Sequence, residues 1–179
     1  MIPPTLHAFA TELLHSLAQS PLLLRVPPER RIVLDTHVLM ECFFWEDAKV
    51  APLREGLRSG DFVAILARDT FLELSGVLSR PQFGATEETI REILHTVAQC
   101  GALVAESKLE QIALKVRCRD PEDQKFLVVA VASHARALLT RDHLLFKAAK
   151  KLRPLGIEPL SPEAFCQTFK VNSTNAKKL

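Results

Sequence analysis

Three acids in this chain stand where solvation is a poor explanation for them. Asp35 ends the apolar run Arg31-Ile32-Val33-Leu34, Asp123 lies in Asp120-Pro121-Glu122-Asp123-Gln124-Lys125-Phe126, and Asp142 closes Leu138-Leu139-Thr140-Arg141-Asp142. An acid just past a buried parallel strand points into the crevice where open α/β sheets bind ligands. Carboxylates gathered in such a crevice repel and raise one another's pKa, whereas a bound dication keeps them ionised. Ligands that are all oxygen suit Mg²⁺ or Mn²⁺ and argue against zinc. The pattern reads as a divalent-metal centre.

Each acid also has a local reading. Asp35 and Asp142 can simply cap the helices that follow them. Asp120 reads as a helix cap with Pro121 at the first helical position, and Asp123 can complete that helix start. Against this, Asp123 shares a face with Phe126, Leu127 and Ala130, in a helix that is apolar nearly all round. A carboxylate aimed at that packed side is costly without a cation. Glu73 borders the stripe of Phe71, Leu74 and Leu78, and periodicity alone allows it to be a solvated flank.

These acids need a sheet with helices to position them, and the composition permits one. With 179 residues, 47% apolar and 25% charged, the chain can bury one ordinary core. A net charge of +2 and a pI near 8.4 are compatible with a polyanionic partner without arguing for one. Cys42, Cys100, Cys118 and Cys166 are widely spaced, which fits reduced thiols in a cytoplasm better than a zinc knuckle or a disulfide framework. The N-terminus has neither the basic region nor the cleavage site of a signal peptide, and no apolar run reaches the ~20 residues of a membrane helix.

The spacing predicts a helix over Thr5 to Ser20 with a Leu6, Phe9, Leu13 and Leu17 stripe, which docks on the core or on a second subunit; a Pro27-Pro28 break follows it. Then come strand Ile32 to Leu34, helical segments over Thr36 to Arg58, strand Phe62 to Leu66, helix Asp69 to Ser79 and helix Thr86 to Gln99, capped by Thr86. Strand Ala102 to Ala105, helix Lys108 to Arg117, helix Pro121 to His134 and strand Ala137 to Thr140 continue the pattern. Helix Leu144 to Leu152, a short strand near Ile157 and helix Pro162 to Thr168 complete it. Strands separated by helices imply parallel pairing, hence an α/β fold: a three-layer α/β/α sandwich with a central parallel sheet. The expected division is an N-terminal helical extension over 1–28, one core domain over 29–169 and a frayed polar tail over 170–179.

Four segments together resemble the PIN (PilT N-terminal) domain ribonucleases, in particular the branch of bacterial toxin-antitoxin toxins. They are Val33-Leu34-Asp35-Thr36-His37-Val38-Leu39, then Glu73-Leu74 with Val77-Leu78-Ser79-Arg80-Pro81, then Asp120 to Ala130, then Leu139-Thr140-Arg141-Asp142. The resemblance covers about Arg31 to Phe169. It implies a PIN-like fold and an endoribonuclease that uses Mg²⁺ or Mn²⁺ and leaves a 3′-hydroxyl and a 5′-phosphate. It also implies control by a cognate antitoxin; the expected assembly is a homodimer. The implied acidic cluster is Asp35, Glu73, Asp123 and Asp142, with Thr36, His37, Thr140 and Arg141 beside the metal ligands or against substrate. Two positions depart from the pattern. His37 stands where the family often has Asn, and Leu144 stands where this branch commonly carries another Asp.

Arg80, Arg141, Lys147, Lys150, Lys151 and Arg153 flank the acidic motifs and supply a path for RNA, since each phosphate they neutralise releases counterions. Trp45 and the Phe43-Phe44 pair can stack bases, although on a helix after the first strand such rings more often serve the core or a dimer contact. Two rivals remain. A catalytically silent PIN module that binds RNA or a protein is kept open by His37 and Leu144. The haloacid-dehalogenase phosphatases also begin from a strand-end Asp but need a second Asp two residues on, where this chain has His37.

Overall fold

The strands are short and buried on both faces, as strands covered by helices on either side must be. The computed structural model describes residues 2–20 and 22–169. Among these, β1 (Arg31–Leu34), β2 (Val63–Leu66), β3 (Gly101–Leu103), β4 (Ala137–Leu139) and β5 (Glu158–Leu160) form one parallel sheet in the order β3-β2-β1-β4-β5. The register pairs Ile32 with Ala64 on one side and with Ala137 on the other. Strand order reverses between β1 and β4, and that reversal opens a crevice beyond their carboxyl ends.

The helices are α1 (Pro4–Gln19), α2 (Leu22–Arg25), α3 (Thr36–Phe43), α4 (Ala51–Ser59), α5 (Arg68–Leu78), α6 (Glu87–Gln99), α7 (Glu106–Glu110), α8 (Gln124–Ala132), α9 (His143–Ala149) and α10 (Pro162–Thr168). The two-residue period of the strands divides the core between two layers. Ile32, Leu34, Ala64, Leu66 and Leu139 pack with α1, α3, α4, α5, α6 and α10. Val33, Ile65 and Leu138 pack with Leu23 of α2, Phe126, Leu127 and Ala130 of α8, and Leu145 and Ala148 of α9. The predicted three-layer α/β/α sandwich is therefore the fold.

The N-terminal helix docks in cis. Leu6, Ala10 and Leu14 are the buried residues of α1, with Phe9, Leu13 and Leu17 half-buried around them. The Arg91 guanidinium covers the Phe9 ring at 4.6 Å and the Thr5 hydroxyl donates to Glu87, so α1 is pinned along α6. The short helix α2 was not foreseen; the Arg31 guanidinium fixes it by donating to the Leu23 and Val26 carbonyls.

One predicted helix is wrong. In place of a helix over Lys108 to Arg117, α7 stops at Glu110, and 112–118 run without helix or strand. Ile112, Leu114, Val116 and Cys118 alternate with the exposed Ala113, Lys115 and Arg117, a two-residue period that suits an extended segment laid on the core. The Gln124 amide holds that segment, donating to the Val116 carbonyl at 3.0 Å and accepting from the Cys118 N–H at 2.8 Å. The expected tail over 170–179 lies outside the described residues. No helix among the described residues is long and apolar enough to cross a membrane.

Candidate functional site

Asp35 leaves β1 in extended conformation and its carboxylate accepts from the Val38 N–H at 2.8 Å, capping α3. It is only 6% exposed, and burial raises its pKa; the Thr140 hydroxyl, the Val38 N–H, His37 and the Arg141 N–H oppose the shift. Asp142 leaves β4 and caps α9 by accepting from the N–H groups of Leu144 and Leu145 at 2.8 and 2.7 Å. Thr140, fully buried, accepts from the Asp142 N–H at 2.9 Å, and its hydroxyl favours the charged form of Asp35; the Asp35 N–H joins the two strand ends by donating to the Leu139 carbonyl at 3.0 Å. The capping reading and the cleft reading are thus compatible for both acids.

Asp123 behaves differently. It stands at the start of α8, yet its side chain makes no capping bond, and Asp120 is the acid that accepts a backbone N–H there, from Glu122 at 2.9 Å. Its carboxyl is pushed up to about 6, first by burial and then by Asp142, Asp120, Asp35 and Glu73. Glu73, on α5, accepts from the Thr36 hydroxyl at 2.6 Å and forms an ion pair with Lys125. Asp35, Glu73, Asp123 and Asp142 all line one cleft of about 390 Å³ at the strand-order reversal, together with Asp120, Thr36 and His37.

The donor chemistry of this cleft fits a hard divalent cation: every acid offers oxygen, and the acids oppose one another's charge. Even so, no three His, Cys, Asp or Glu side chains among the described residues are already gathered closely enough to hold an ion. Glu73 is instead paired with Lys125 of α8.

The basic residues divide. Arg80 is exposed on the cleft wall. The Arg141 guanidinium is engaged by Glu41 and by Glu163 at 2.6 and 3.1 Å, which ties the start of α9 to α3 and α10. Lys147 and Lys150 are exposed on and just after α9, outside the cleft lining; Lys150 lies 5.2 Å from the Phe146 ring. Arg153 pairs with Glu158 at 2.6 Å.

Four participants escaped the sequence reading. Lys125 sits inside a quoted motif, but nothing in its spacing says that it reaches α5. Glu41, 6% exposed, receives Arg141 and lies 3.3 Å from His37, while its second oxygen has no hydrogen-bond partner among the described residues. Met40 and Phe83 line the cleft from α3 and from the turn after α5. Trp45 lies on the same wall, whereas Phe43 is buried in the core.

This sheet order with acids beyond β1 and β4 defines a class of α/β proteins with a carboxylate cleft at the sheet's switch point. A family model described as PIN domain matches residues 31–144, well over half the chain, and the protein belongs to that family. PIN domains are generally nucleases, and they generally use divalent metals. No curated protein and no solved structure is matched by the chain.

Proposed function

We propose that this protein is a Mg²⁺- or Mn²⁺-dependent endoribonuclease of the toxin type, restrained by a cognate antitoxin. One observation carries the catalytic part of the reading: carboxylates from the ends of β1 and β4, from α5 and from the start of α8 share one cleft, and burial there, followed by the charge of its neighbours, raises Asp123 to about 6. Such tension is stable when a cation is the intended occupant. In this reading Asp35, Asp123 and Asp142 are the metal ligands, and Glu73, held by Thr36 and Lys125, ligates as well or orients the attacking water. A dication held there supplies charge neutralisation on the phosphodiester oxygens and a more acidic water for attack. Thr140 orders the turn that presents Asp142, Arg141 braces α9, and Arg80 meets substrate phosphate. The antitoxin, the homodimer and the toxin role rest on the motif resemblance alone, and a small open reading frame abutting the gene would support the first.

Asp35→Asn tests the assignment. Mg²⁺-dependent RNA cleavage should fall by orders of magnitude, since removing a ligand loses both water activation and charge stabilisation, each worth several kcal/mol, while circular dichroism stays unchanged. Retained metal-dependent cleavage in a nuclease-free preparation would sink it. The rival reading, a silent module that binds RNA or protein, is favoured by the Glu73–Lys125 pair, which occupies an acid that catalysis would need. Absence of cleavage by the wild-type protein in Mg²⁺ and Mn²⁺ would decide for it.

A further inference from the structure

The cleft is lined by aromatic rings as well as by acids. Trp45, 43% exposed, lines it together with His37 and Phe83. The indole meets its neighbours at an angle throughout: 55° to His37 at 5.1 Å, 60° to Phe44 at 5.8 Å and 67° to Phe83 at 6.0 Å. No parallel partner among these covers it. The backbone beneath is fixed, since the N–H groups of Phe44 and Trp45 both donate to the Met40 carbonyl at 2.9 Å, and Asp47 donates back to Glu41 at 3.0 Å. Glu46, next in sequence, is held in the left-handed region at φ 49° to make that turn. An exposed, rigidly mounted indole in a cleft lined by five carboxylates and the exposed Arg80 has no structural role that explains its exposure.

We propose that Trp45, flanked by His37 and Phe83, is a stacking platform for an unpaired base next to the scissile phosphate. This rests on the nuclease reading and adds to it the residue that holds the base. A base within an A-form helix has both faces covered by its neighbours, whereas an unpaired base can turn a face to an aromatic ring. Stacking tolerates any base, because every base has a π-face. The platform therefore holds a base without reading its identity, and Arg80, which lines the same cleft, takes the adjoining phosphate.

Trp45 is the chain's one tryptophan, so its emission reports the platform directly. The wild-type protein, with Ca²⁺ in place of Mg²⁺, is titrated with a ten-nucleotide single strand, with an abasic strand of equal length and phosphate count, and with the corresponding duplex. The base-bearing strand should quench the emission and bind about ten-fold more tightly than the abasic one; the duplex should not quench. Trp45→Ala should bind the two strands alike, and Trp45→Phe should keep part of the preference. Equal affinities for both strands, saturation without quenching, no binding at all, or equal quenching by duplex would each overturn the proposal. Cleavage in Mg²⁺ without base-dependent quenching would remove the platform and leave the nuclease. Quenching by bases in a protein that cleaves no RNA would do the reverse.

Discussion

The Asp123 carboxyl titrates at about 6 because burial, then Asp142, Asp120, Asp35 and Glu73, oppose its charge. A folded-state pKa raised above the ordinary 3.8 means that ionisation is less favourable in the folded chain than in the unfolded one. Stability linked to this group is fully present below about pH 4 and is lost as pH rises through about 6. Asp123→Asn removes the charge. In EDTA the variant should match the wild type near pH 4 and melt at a higher temperature at pH 7.5. It should also shrink the Mg²⁺-induced stabilisation, which in the wild type would reach ~2.7 kcal/mol at a Mg²⁺ concentration of about 100 Kd. If Asp123 instead supported only the start of α8, the change would destabilise by about 0.5–1 kcal/mol at every pH, with or without metal. Melting curves at both pH values, in EDTA and in Mg²⁺, separate the two by sign. An intact Mg²⁺ shift in a destabilised variant would remove Asp123 from the site.

At the scale of elements, α8 ends in a turn that its sequence does not favour. His134 sits in the left-handed region at φ 51°; its N–H donates to the Val131 carbonyl and the Ala135 N–H to the Ala130 carbonyl. This is the hydrogen-bond pattern that usually carries glycine, which has no Cβ to strain. His134→Gly should therefore stabilise by about 0.5–1 kcal/mol, a rise of ~1–4 °C in melting temperature for a chain of this length. An unchanged or lower melting temperature would mean that the exposed imidazole earns its position through a contact. The same elements explain what the sequence reveals. Strand ends, the Thr86 cap and the 3.6-residue period of α1 are local, so they are legible, as are the strand-end acids Asp35 and Asp142; that Glu73 shares their cleft with Asp123 is suggested only by the motif resemblance, since periodicity leaves Glu73 a solvated flank. The failure at Lys108 to Arg117 is also local: a two-residue alternation was given a helical period. By contrast, Lys125 on Glu73, and Arg141 shared between Glu41 and Glu163, join residues from different elements; no spacing along the chain encodes them.

Across the whole molecule, the first 28 residues touch both layers of the sandwich. Leu6, Ala10 and Leu14 of α1 belong to the layer of α5 and α6, while Leu23 and Val26 belong to the layer of α8 and α9. Arg31, at the start of the central strand β1, donates to the Leu23 and Val26 carbonyls. At ~1.5–3 kcal/mol for each buried aliphatic side chain, Leu6, Leu14, Leu23 and Val26 together are comparable to the ~5–15 kcal/mol net stability of an ordinary domain. A chain beginning at Glu29 should thus lose most of its cooperative melting transition. It should also gain mass in light scattering, because the uncovered faces of α5 and α6 are apolar and seek another surface. The acids would be affected only indirectly, since none of them lies on the deleted segment; Mg²⁺-dependent cleavage would decline in step with the folded fraction and not ahead of it. A shortened chain with unchanged melting, mass and solubility would show that α1 is a dispensable arm whose buried leucines add little to the core.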